Sequence, residues 1–213
     1  MVSNCDSNSG REIYAAELGK HIDVTIFGDC GKEKCQAGPT CDRTLTSFRF
    51  YLAFENSVCV DYATEKMHLA LTRNLIPIVY GMYDYRHNLP ERSFIDVRDF
   101  DSPKHLANYL HKLARNKTLY DSYFRWKQHY EVINYSFETR MAKAACAVCH
   151  NLHITKHDAP KTVNLSTMNR YRYCIPKEKF LRSVGVNITQ GVNLTEFEKY
   201  RSRNPFKPLS SYS

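Results

Sequence analysis

The chain has 213 residues, enough for one sizeable core with a tail, or for one domain and a fragment of another. Hydrophobic residues at 43% and aromatics at 13% exclude a disordered chain, and no apolar run approaches the roughly 20 residues a membrane span needs. The net charge of +8 is gathered at one end: residues 161–213 hold ten Lys and Arg against three Glu, so everything before them is nearly neutral. Such a tail can touch nucleic acid or an acidic membrane, but a merely solvated tail is the commoner case, and no nucleic-acid partner is read here.

The beginning, Met-Val-Ser-Asn-Cys-Asp, has neither a basic n-region nor an apolar h-region, so it does not read as a signal peptide. Val2-Ser3-Asn4 reads as the end of a strand. Arg11, Tyr14, Ala15 and Leu18 then share a helical face that Gly19 and Lys20 close, and Ile22 to Phe27 alternates as a strand ending at Gly28. From Gly28 to Thr46 the chain carries Cys30, Cys35 and Cys41 with Gly31, Gly38 and Pro39, and reads as a loop. With Cys5 and Cys59 these cysteines point to disulfides across strand ends, in a pairing the spacing leaves open. A zinc knuckle would need a C-x-x-C pair that this loop lacks.

Residues 48–54, Phe-Arg-Phe-Tyr-Leu-Ala-Phe, form an apolar run suited to a strand buried on both faces of a parallel sheet. Glu55, Asn56 and Ser57 bring hydrogen-bonding groups to its carboxyl end. Asp61 reads as the cap of a helix whose apolar face is Ala63, Met67, Ala70 and Leu71, and Ile76 to Tyr80 is the next buried strand, stopped by Gly81. In an open α/β sheet, ligands bind beyond the strand ends, where these polar residues gather. Tyr62, Glu65 and Lys66 stand at i, i+3 and i+4, and so project together from a helix N-terminus that already favours an anion. A phenol, a carboxylate and an amine there suit a ligand with phosphates and sugar hydroxyls; a solvated Glu and Lys on an ordinary helix is the competing reading.

A loop from Met82 to Arg92 leads to a short strand at Phe94 to Val97. Asp99-Phe100-Asp101 matches the D-x-D of metal-dependent glycosyltransferases, yet Ser102-Pro103 marks a helix start that explains the carboxylates without a metal. That helix, Lys104 to Asn116, stripes Leu106, Leu110 and Leu113 along one side. Tyr120, Tyr123, Phe124, Trp126 and Tyr130 with Arg125 and Lys127 could stack on bases, but packing in a core or against a neighbouring domain is the commoner use. Cys146-Ala-Val-Cys149-His150 fits haem attachment, a zinc site with His153, or disulfides. Eight cysteines and the sequons at Asn116, Asn134, Asn164, Asn187 and Asn193 favour a secretory lumen and N-glycosylation. Residues 153–213, with four prolines and three of the sequons, read as an irregular basic extension.

Phe50-Tyr51-Leu52-Ala53-Phe54-Glu55-Asn56-Ser57, Asp61-Tyr62-x-Thr64-Glu65-Lys66 and Ile76-Pro77-Ile78-Val79-x-Gly81 together resemble the α-1,3-fucosyltransferase family. The match continues through Ser93-Phe94-Ile95-Asp96-Val97, Asp99-Phe100-x-Ser102-Pro103 and Tyr123-Phe124-x-Trp126-Lys127, and covers about residues 1–152. The resemblance implies an α/β fold with a Rossmann-like parallel sheet, the C-terminal lobe of a two-lobed GT-B glycosyltransferase. Residues 1–152 would bind the nucleotide sugar GDP-fucose. An N-terminal lobe outside this chain would bind the glycan acceptor and supply the base. The reaction implied is inverting transfer of L-fucose in α-1,3 linkage to a GlcNAc hydroxyl of a glycoprotein glycan. Arg11 and Lys66 would hold the diphosphate, Tyr62 would hydrogen-bond a phosphate, and Asn56 and Glu65 would orient sugar hydroxyls. Glu65 could also stabilise a cationic transition state, and no metal cofactor is required. The family pattern also has a C-x-x-C at Cys146 and Cys149, implying disulfides locally or to an upstream domain. The full-length parent would be a single-pass type II protein of the Golgi cisterna membrane, anchored by an upstream segment. The alternative is a catalytically inactive nucleotide-sugar-binding fragment or paralogue without the acceptor lobe.

Overall fold

A computed structural model describes residues 2–3, 7–28, 31, 35, 39–133, 137–156 and 174–187. Two parallel sheets carry the fold. Strand β1 (Val2–Ser3) leads through helix α1 (Arg11–Leu18) to β2 (Phe27–Gly28), and the two strands pair in parallel. Helix α2 (Pro39–Thr46) precedes β3 (Phe50–Phe54), α3 (Glu65–Thr72) and β4 (Ile76–Tyr80). Next come α4 (Tyr85–Asn88) and β5 (Ile95–Asp96), with all three later strands parallel in the order β3-β4-β5. Beyond them stand α5 (Pro103–Arg115), α6 (Lys117–Asp121), a 3-10 segment over Ser122–Gln128, α7 (Phe137–Ile154) and α8 (Lys177–Ser183).

The alternation of side chains along β3 and β4 feeds two cores. Leu52, Phe54, Ile76, Ile78 and Tyr80 face one side, against Tyr14 and Leu18 of α1, Leu106 and Leu110 of α5, and Phe180 and Leu181 of α8. Tyr51, Ala53 and Val79 face the other, with Leu45 of α2 and Ala70 of α3. Burial on both faces is why these strands read as unbroken apolar runs. Pro77 is tolerated near the start of β4 because β5 pairs only with Ile78 and Val79. Helix α5 begins as its sequence dictates: Pro103 takes the first turn, and the Ser102 hydroxyl accepts from the His105 amide at 3.3 Å.

Several local expectations need correction. Residues 22–26 are irregular, and only Phe27–Gly28 is strand. The stretch read as loop up to Thr46 contains α2, which opens on Pro39 and is tied down by a Cys35–Cys41 disulfide. Asp61 does not cap α3. It adopts a left-handed conformation (φ 59°), and the helix starts later, after Thr64, so Tyr62 and Ala63 lie before it. Asp99 and Asp101 diverge: Asp99 turns inward to pair with Arg86, while the Asp101 side chain is 93% exposed, and neither shares a site with the other. Cys146 and Cys149 are free and exposed on α7, without a local bridge. Among the described residues no three His, Cys, Asp or Glu are placed to hold a metal, so Cys146, Cys149, His150 and His153 do not converge on one.

Within the stretch read as an irregular extension, residues 174–187 are folded into the lobe. Cys174 is bridged to Cys59, and Phe180 and Leu181 are fully buried. Gly185 ends α8 in the left-handed region (φ +78°), where a Cβ would stand 1.9 Å from the Asp101 carbonyl oxygen. Gly185→Ala is therefore expected to lower stability by about 2 kcal/mol in urea denaturation, through both backbone strain and the clash.

Asp99 lines a cleft of about 460 Å³ with Arg86, Arg92, Tyr109, Lys112 and Tyr123. Burial first, and then the nearby Asp96, push its carboxyl from 3.8 up to about 7, against the opposing pull of Arg86 and Arg98. The folded chain thus keeps a proton that the unfolded chain releases, and stability falls as pH rises from about 4 to 7. Asp99→Asn should flatten that slope, removing on the order of 2 kcal/mol of the difference between denaturation at pH 5 and pH 8.

Candidate functional site at the carboxyl end of the third strand

Strand β3 ends on Phe54, and the next two residues carry the organisation of the site. Arg11, the first residue of α1, is 1% exposed. Its Nη1 donates to the Phe54 carbonyl at 3.0 Å and to Asn56 Oδ1, and its Nε donates to Glu12 Oε1 at 3.0 Å. Glu12 also accepts from the Ser7 hydroxyl at 2.6 Å. Burial alone would raise the Glu12 carboxyl, but the bonds from Ser7 and Arg11 outweigh it and hold the group below its usual range.

Glu55, equally buried, faces the other crossing. Its Oε1 accepts from the Thr64 amide at 2.7 Å and its Oε2 from the Thr64 hydroxyl at 2.7 Å. Lys66 Nζ donates to Thr64 Oγ1 at 2.8 Å and stands 3.5 Å from Glu55 Oε2. That last separation exceeds the roughly 2.7–2.9 Å of a strong charge-assisted bond, so Lys66 is aimed by Glu55 and Thr64 while its charge remains available. The Lys66 side chain keeps 15% exposure. Because Thr64 spends its hydroxyl on Glu55, no side chain caps α3, and its first amides keep their affinity for an anion.

Arg11 and Lys66 therefore hang from three consecutive residues, Phe54, Glu55 and Asn56, at one strand end. Glu65 joins through its carboxylate, 3.9 Å from Lys66 Nζ, and its side chain is 63% exposed. Tyr62 is half-buried in the connection before Thr64, its amide donating to the Cys59 carbonyl at 3.3 Å. From the residues alone Glu55 is only one of the hydrogen-bonding groups at the strand end, and Thr64 and Glu12 carry no role. A carboxylate placed directly after a buried strand, with nothing local to pair with, was the available signal for Glu55. Of the sequons, Asn116 and Asn187 are exposed, the former with its Oδ1 capping α6 at 2.9 Å from the Leu119 amide; Asn134, Asn164 and Asn193 lie outside the described residues.

The model of glycosyltransferase family 10 (fucosyltransferase), C-terminal part, matches residues 1–168, which runs past the residue 152 at which the sequence resemblance reads as ending. Glycoprotein 3-alpha-L-fucosyltransferase A of Drosophila melanogaster is 46% identical over 158 residues, covering 71% of this chain and 30% of that protein. Alpha-(1,3)-fucosyltransferase C of the same organism is 42% identical over 155 residues, covering 72% of this chain and 35% of that protein. The chain thus spans about a third of the length of these relatives. A crystal structure of an alpha1,3-fucosyltransferase with GDP-fucose superposes with a TM-score of 0.51 at 22% identity, over 64% of this chain and 39% of that one, and shares its fold. With a parallel α/β lobe, two cations held at one strand end, and a family match over most of its length, the chain belongs to glycosyltransferase family 10, the fucosyltransferases, and corresponds to their C-terminal part.

Proposed function

We propose that this chain is the donor-binding lobe of an α-1,3-fucosyltransferase, taking GDP-fucose at the carboxyl end of β3 and serving a glycoprotein glycan acceptor bound by residues outside it. The observation that carries the reading is the suspension of Arg11 and Lys66 from Phe54, Glu55 and Asn56, which sets two positive charges at the mouths of two successive strand-to-helix crossings. The named fucosyltransferases among its relatives and the GDP-fucose in the superposed crystal structure support it.

The chemistry follows from charge. When the acceptor hydroxyl, giving its proton to a base outside this chain, attacks the fucose anomeric carbon, the bond from that carbon to the β-phosphate oxygen breaks and negative charge accumulates on the departing GDP. Lys66, aimed by Glu55 and Thr64, would meet that charge directly, and the open N-terminus of α3 would add its dipole. Arg11 would supply a fixed charge from below while binding the strand end together. Glu65, exposed beside Lys66, would face the sugar and the positive charge that develops on it; Tyr62 and Asn56 would contribute hydrogen bonds to phosphate and sugar. The disulfides Cys35–Cys41 and Cys59–Cys174 support placing the parent in an oxidising compartment such as the Golgi lumen.

Calorimetric titration tests the donor site on the chain itself. GDP should bind saturably, and guanosine, which lacks the phosphates, should bind at least about 100-fold more weakly, since two charge-assisted contacts are lost. Equal affinity for the two would remove the diphosphate site.

A further inference from the structure

The two crossings that bear Arg11 and Lys66 share a second support, supplied by residues 174–187, beyond residue 168 where the family match ends. At the β3–α3 connection, Cys59 is disulfide-bonded to Cys174, and the Ile175 amide donates to the Val58 carbonyl at 2.8 Å. That connection contains Asn56 and Tyr62, and the Tyr62 amide returns to the Cys59 carbonyl. At the start of α1, Gly10 lies directly against α8: a Cβ there would stand 2.6 Å from Leu181 Cδ1 and 3.2 Å from Lys177 Cβ. The Gly10 carbonyl accepts from the Ile13 and Tyr14 amides, so its position sets the first turn of the helix that opens on Arg11. Between the two contacts Phe180 stacks edge-on against Tyr80, with ring centroids 4.7 Å apart, and the Tyr80 hydroxyl donates to the Ser9 carbonyl at 2.7 Å. The far end of the strap is fixed where Gly185 fits against Asp101.

We propose that residues 174–187 are a positioning strap for the donor site, closed by the Cys59–Cys174 bridge, which holds the Arg11 and Lys66 crossings in register for a nucleoside diphosphate. The inference rests on the reading of this strand end as the donor site. One covalent bond and one buried helix face bear on the two crossings, beside the direct contact that Arg11 makes with Phe54 and Asn56. Opening the bridge frees the strap's leading end. The Val58–Cys59 segment then loses its anchor, and Leu181 no longer presses on Gly10.

The test uses the full chain and the double variant Cys59→Ser with Cys174→Ser, followed by hydrogen exchange and GDP titration. Exchange at the amides of Ile13, Tyr14, Tyr62 and Thr64 should rise about tenfold or more in the variant, while the β4 amides from Ile76 to Tyr80 keep their protection. GDP affinity should fall about tenfold in parallel. Unchanged exchange at the first turn of α1 and at Thr64 would overturn the proposal. So would loss of protection throughout β4, which would make the bridge a support of the whole fold rather than of the site. Raised exchange with unaltered GDP affinity would overturn the link between strap and ligand. If the native chain binds no GDP, the donor-site reading fails, while the exchange pattern still decides whether the strap fixes both crossings.

Discussion

On the proposed donor-lobe reading, replacing Lys66 with alanine is expected to lower kcat/KM for fucose transfer, assayed with an acceptor-binding part present, by about 30- to 1000-fold, the equivalent of roughly 2–4 kcal/mol of lost transition-state stabilisation. The loss falls mainly on the step in which GDP departs, so kcat should drop with it instead of KM rising alone. Stability should also fall, by about 1–2 kcal/mol, because Lys66 is the cation 3.5 Å from the buried Glu55 carboxylate, but by less than for the fully buried Arg11. A transfer assay with labelled GDP-fucose beside a urea melt separates the two effects. Glu55→Gln offers a second view of the same unit. The amide oxygen can keep one of the two bonds that Thr64 donates, and the neutral side chain no longer steers Lys66 by charge, so activity should fall, though less than for Lys66→Ala. A Lys66→Ala parent that transfers fucose at the native rate would remove the phosphate role assigned to this amine.

Arg11→Ala should behave differently, and mostly as a folding defect. The guanidinium is buried and serves the Phe54 carbonyl, Asn56 and Glu12. Its removal orphans a buried carbonyl and leaves Glu12 without its cation. The expected cost is on the order of 3 kcal/mol in denaturant unfolding at pH 7. Arg11→Lys restores a charge but not the fork that reaches Phe54, Asn56 and Glu12 together, so it should recover GDP affinity only in part. Equal stability of Arg11→Ala and the native chain would show that the buried contacts count for little. The contrast between the two cations is the useful result: Lys66 is aimed outward by its neighbours, whereas Arg11 is built into the strand end.

What the residues alone could reveal is bounded by how locally each feature is encoded. Ile76–Tyr80 is strand throughout, whereas of the run 48–54 only Phe50–Phe54 is strand and Phe48 stands exposed before it; burial on both faces writes itself as uninterrupted apolar sequence but does not mark where the strand begins. Ser102-Pro103 marked the start of α5 because capping is settled within four residues. Helix α2 is hidden in the sequence because glycines and cysteines surround Pro39 and its eight residues offer little apolar signal beyond Cys41 and Leu45, whose burial depends on the rest of the fold. Helix α8 carried its signal in Phe180, Leu181 and Val184, but a stripe that short says nothing about what it packs against.

The family resemblance, and with it the parallel fold and the list of candidate residues, followed from motifs in the sequence by itself. Tertiary structure alone decided that Glu55 aims Lys66 through Thr64, that Asn56 answers Arg11 across 45 positions, and that Cys59 finds Cys174 across 115. The physical reason is that hydrophobic periodicity and caps are short-range properties of a chain, whereas the partner of a buried charge or thiol is fixed only when distant segments are folded side by side.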